Sequence, residues 1–159
     1  MSDRPAIAAL SVALHVGHLG LAGVWLGAMA YSLVVVQPRA ARFFGSETEH
    51  EEFLLTLGAG NRRPVLAVLG GLAGTGALIP VTTGPTATQG AVYVAEGVLL
   101  VAAAAVFARV SWLLWPRRAF ALPDEWPAHR SALRRHALAM VGLVGGAFTL
   151  AVVAATLPT

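Results

Sequence analysis

From Ala6 to Val36 the chain runs for 31 residues without a charged side chain. About 20 apolar residues suffice to cross a bilayer, so this stretch can span one with tilt or project beyond it. Three more stretches are of the same kind: Pro64 to about Val81, about Gly90 to Trp115, and about His136 to Leu157. In hydrocarbon every backbone amide must be satisfied within its own segment, which predicts four helices. Composition agrees, since charged residues make up 12% of the chain against about 25% in soluble domains. The expected fold is all-α, an integral membrane four-helix bundle forming a single domain over residues 1–159. The first stretch is too long for the apolar region of a signal peptide and is expected to be retained.

The connections set an orientation. "TTGPTATQ" (82–89) is uncharged, whereas 37–63 holds Arg39, Arg42, Arg62 and Arg63, and 116–135 holds Arg117, Arg118, Arg130, Arg134 and Arg135. Positive-inside logic places both long loops in the cytoplasm and both termini on the non-cytoplasmic side of the cell (inner) membrane. Trp112, Trp115 and Trp126 suit an aromatic belt at the cytoplasmic interface. All basic residues are arginine, and they gather at the ends of spans. They form no continuous stripe, so the partner they imply is the lipid bilayer and not nucleic acid. Their expected role is interfacial anchoring. Cysteine is absent, which removes disulfides, thiolate metal sites and cysteine nucleophiles. Nothing resembles a soluble catalytic set, so an enzyme is not the expected class.

Within the first loop, "SETE" (46–49) is a capping box with Ser46 at the N-cap. It predicts a short amphipathic cytoplasmic helix over about 47–57, ended by Gly58 or Gly60. His50 stands among Glu47, Glu49, Glu51 and Glu52, a pattern read as a solvated acidic face.

A weak internal repeat runs through the chain. "QPRAARFF" (37–44) and "WPRRAFAL" (115–122) each follow an apolar helix, and "NRRP" (61–64) and "LRRH" (133–136) each open the next. Duplication and the shared demands of two membrane interfaces both account for such marks. Setting Pro38 against Pro116 places His15 opposite Tyr93 and His18 opposite Glu96.

These intramembrane polar residues are the functional handle. His15, His18, Ala22, Trp25 and Met29 share one helical face, and Gln89, Tyr93 and Glu96 share another. Thr75 on the second helix lies near the same depth. Ionisable groups within a span are costly and normally face partners inside the bundle. Several chemistries fit. Two imidazoles and a carboxylate suit copper(II) or zinc, while Met29 lies about 17 Å from His18 along the helix and cannot join them. Haem b is a further candidate; its bis-histidine form is disfavoured, because both histidines sit on one helix. A hydrogen-bond network that fixes helix register and a proton relay need no cofactor at all.

"LHVGHLGLAGVWLGAMAY" followed by "VVQPRAARF" resembles the first-helix pattern of the copper resistance protein D domain. It is also similar to the related haem-binding membrane oxidases of protoporphyrinogen. "NRRPVLAVLGGLAGTGAL" and "VYVAEGVLLVA" continue the likeness over residues 10 to 105. Those families carry a lysine in the third helix; this chain has none, and Glu96 occupies that region. The resemblance implies copper binding or transport and carries over to His15 and His18 alone as metal ligands; the pattern of polar residues adds Glu96 as a third ligand, supported by Tyr93, Trp25 and Thr75. The alternatives are a cofactor-free accessory subunit, whose glycine and alanine faces would meet membrane partners or a second copy, and a haem-binding membrane protein.

Overall fold

The computed structural model describes residues 4–157, and they are almost wholly helical. Helix α1 (Arg4–Tyr31) passes through one widened turn, Ser32–Val36, into α2 (Gln37–Phe43). Helix α3 (Glu47–Gly60) follows the expected Ser46 cap, whose side chain accepts from the Glu49 N–H. It turns at Asn61 into α4 (Arg62–Thr83). Gly84, at φ 58°, then adopts the left-handed conformation that stops α4. Thr86 and Gln89 form a reciprocal capping box that starts α5 (Ala87–Arg109). A second widened turn, Val110–Leu114, leads into α6 (Trp115–Ala119), and α7 (Trp126–Thr156) completes the chain.

Both widened turns have the same cause. Pro38 and Pro116 lack an N–H, and in a regular helix their rings would collide with the carbonyl four residues back. The backbone relieves this by reaching five residues back: the Gln37 N–H bonds the Ser32 carbonyl, and the Trp115 N–H bonds the Val110 carbonyl. Ser111 is left with a carbonyl whose five-residue partner would be Pro116, and the Arg62 guanidinium donates to it at 2.7 Å.

Four helical stretches are long and apolar enough to cross a membrane: Pro5–Phe43, Glu47–Thr83, Ala87–Ala119 and Pro123–Thr156. Each outruns its sequence prediction at the loop end. Helix α7 begins ten residues before His136, because Pro127 sits in its first turn, where a missing N–H costs nothing. The large side chains Val12, Val16, Val24, Val94, Val98 and Val101 point outward. A hydrocarbon solvent tolerates that distribution.

Helix α1 packs on α4 and on α7, and α7 packs on α5, while α4 and α5 barely meet. The four long helices therefore form a ring, α4–α1–α7–α5, with one seam open. Ala22, Trp25, Leu72, Ala103 and Val144 make the core where α1, α4, α5 and α7 converge. At the loop end α3 is tied down by charge. Arg118, 5% exposed, donates through Nε and Nη2 to Oε2 of Glu51, 3% exposed, and Arg130 reaches both Glu47 and Glu51. The acidic face expected to be solvated is, at Glu51, the opposite: a buried ion pair between the two loops.

Candidate functional site: a carboxyl–imidazole pair beside an open seam

Five of the six expected site residues come together in two adjacent layers. His18 on α1 lies 2.7 Å from Glu96 on α5 through Nε2 and Oε1, and 2.7 Å from Thr75 on α4 through Nδ1 and Oγ1. One turn nearer the termini, His15 Nε2 meets the Tyr93 hydroxyl at 3.5 Å. Both α1–α5 contacts join residues 78 apart in sequence. The Pro38–Pro116 shift is the same, and so is the shift between the two widened turns. Two parallel helices that touch at equivalent positions do so when a pseudo-two-fold axis runs between them along the bundle. That coincidence turns the weak repeat into a structural one. Trp25, placed with these residues by its helical face, instead packs in the apolar core about 10 Å further along α1.

Proton positions follow from the bonding partners. The Thr75 hydroxyl donates to the Gly71 carbonyl at 2.8 Å, so it accepts from His18 Nδ1–H. His18 Nε2 and Glu96 Oε1 then share one further proton, held either as a neutral acid against a neutral imidazole or as an ion pair. Without it, two lone pairs would face each other at 2.7 Å. The pair therefore carries one proton and no net charge. The same logic gives His15 an Nδ1–H, which donates to the Ser11 carbonyl at 2.8 Å, and leaves its Nε2 to accept from Tyr93.

His15 and His18 thus turn to separate partners, and both ring nitrogens of His18 are engaged. Among the described residues no group of three or more histidine, cysteine, aspartate or glutamate side chains is arranged to hold a metal ion. A copper or haem iron bound through His18 would have to displace Thr75 or Glu96.

Beside the pair lies a cavity of about 520 Å³ in the α4–α5 seam. His18, Tyr93 and Glu96 form its polar wall; the rest is apolar, with leucines of α4 and α5 around a set of small residues, Gly70, Ala73 and Gly76 on α4 and Gly97 and Ala104 on α5. Glu96 is 6% exposed, and its Oε2 has no hydrogen-bond partner among the described residues. Gly76 matters directly, since a Cβ there would come within 3.4 Å of the His18 ring.

The cavity was not foreseen from the sequence, nor was the Glu51–Arg118 pair. The first left a trace in the spacing of small residues on α4, but glycine at such spacing reads equally as a packed helix contact. The second left none, because arginine near a span end is ordinarily an anchor. No family model, curated protein or solved structure matches this chain.

Proposed function

We propose that this is a multi-pass membrane protein that takes a lipid-soluble molecule from the bilayer into the α4–α5 groove. The His18–Glu96 pair reads the molecule's polar end. In this reading both termini lie on the non-cytoplasmic side, and the Arg-rich loops lie in the cytoplasm. One observation carries the proposal: a cavity of small-molecule size, apolar along most of its wall, with one carboxyl oxygen of the buried residue Glu96 left unpartnered by the protein. Side chains that fix helix register alone would be expected to satisfy each other fully. The copper expectation remains separable by elemental analysis of untagged protein.

The groove is tested by filling it. Gly70 and Gly97 line it, and a Cβ at either meets nothing within 4 Å. Native mass spectrometry from mild detergent should find one lipid-sized molecule held by the wild type and none by Gly70→Leu or Gly97→Leu. A bound molecule that survives both substitutions overturns the reading, and so does a dimer that closes the seam with a second copy.

A further inference from the structure

We propose that the groove's ligand is a lipophilic cation, held against Glu96 and exchanged for the one proton of the His18–Glu96 pair; this rests on the groove reading above. Three observations point to charge, beyond mere solubility in lipid.

The first is the unpartnered acceptor. Oε1 of Glu96 is bound to His18, and Oε2 is free on a residue whose side chain is 8% exposed. The second is the absence of a competing cation. Among the described residues no arginine lines the groove, and His18 is its single basic side chain. Helix α4 contributes Thr75 to the pair and no charged group. Helix α7 keeps His129, Arg130, Arg134, Arg135 and His136 near its loop-end start. His15 and Tyr93, one turn nearer the termini, are the other titratable groups close by.

The third is electroneutrality. The pair as bonded carries one proton and no net charge. A cation added to it in a low-dielectric wall would leave an uncompensated positive charge, which is expensive. Release of the shared proton removes that cost. The cation comes in from the bilayer, and the proton between Oε1 and Nε2 leaves to water. Glu96 remains as a carboxylate facing the cation, and His18 remains neutral with Nδ1–H on Thr75. Charge balances, and no bond in the ligand is made or broken. Oε1 and Nε2, left without a proton between them, then separate, which frees the carboxylate to turn toward its new partner.

Two probes of equal shape and opposite charge decide it: tetraphenylphosphonium and tetraphenylborate, titrated into purified full-length protein in weakly buffered mild detergent. Wild type should bind the phosphonium with release of about one proton per cation, as linkage between two ligands of one site requires, and should discriminate against the borate. Glu96→Gln should weaken phosphonium binding by at least about tenfold and abolish proton release. Gly97→Leu, which leaves the pair untouched, should abolish binding of the cation as well. Equal binding of both probes overturns the charge proposal while leaving the groove reading in place. Phosphonium binding without proton release overturns the exchange. Phosphonium binding that survives Gly97→Leu, while the lipid-sized molecule is lost, places the cation elsewhere and also overturns it.

Discussion

Two seams join the halves of this protein, and they are made differently. The α1–α7 seam is closed: a Cβ on Gly23 would touch Phe148 at 3.7 Å, and one on Gly145 would touch Leu26 at 3.8 Å. The α4–α5 seam is its counterpart under the 78-residue shift, since α1 maps onto α5 and α4 onto the second half of α7. There Gly70 and Gly97 face empty space. Small residues at a helix contact permit close approach but do not compel it. What compels it in the closed seam is a large side chain reaching across. In the open seam the polar side chains of α5 turn to α1 instead of filling the gap, Glu96 to His18 and Tyr93 to His15.

The largest effect on this contrast should come from loosening what holds both halves in register at the loop end. Glu51→Ala leaves Arg118 buried without its carboxylate, which costs about 3–5 kcal/mol for a broken buried pair. A lowered thermal unfolding midpoint in detergent would report it, and an unchanged midpoint would mean that the clasp is not a structural tie. Next is Thr75→Val, which strands His18 Nδ1–H and should cost about 1–3 kcal/mol. A further consequence is specific: the pair is then free to change tautomer, so histidine ring resonances of His18 should move while those of His15 stay. Should both move together, the two layers are coupled more tightly than their bonds indicate.

Gly23→Leu overpacks the closed seam and should destabilise by a similar or smaller amount, about 1–3 kcal/mol. The smallest effect belongs to its mirror image. Gly97→Leu should change stability by no more than about 0.5 kcal/mol, because a Cβ there meets nothing within 4 Å and the rest of the side chain extends into the groove. If Gly97→Leu proves as damaging as Gly23→Leu, the α4–α5 seam is closed in the working protein and the two seams are alike. The orientation proposed for the chain is tested by single-cysteine labelling, for which a cysteine-free sequence is a clean background. Thr88→Cys should react with an impermeant maleimide added outside cells, and Ser131→Cys should react only after permeabilisation.

Several features could be read directly from residues. Runs such as Ala6–Val36 demand helices because no other backbone form satisfies itself in hydrocarbon. The Ser46 cap appears where "SETE" puts it. The two prolines gave the shift that pairs His15 with Tyr93 and His18 with Glu96. Those pairings were legible because residues near a pseudo-two-fold axis meet their own equivalents, so one alignment yields the contact. Element ends were less legible. Helix α2 and the start of α7 extend beyond the predicted spans because polar and charged sequence continues a helix as readily as apolar sequence does, whereas α3 ends at Gly60 as the glycines predict.

The sequence by itself determined four apolar helices, a polar layer at one depth, and an alignment that sets His15 opposite Tyr93 and His18 opposite Glu96. All of these follow from period, position and repeat, which are one-dimensional properties. Tertiary structure alone decided three things: that His18 is anchored by Thr75 and through it by Gly71, that Arg118 is sunk against Glu51, and that one of two equivalent seams stays open. Each depends on distances between side chains on different helices. Such distances are set by the mutual fit of all four helices, so no stretch of sequence carries them locally.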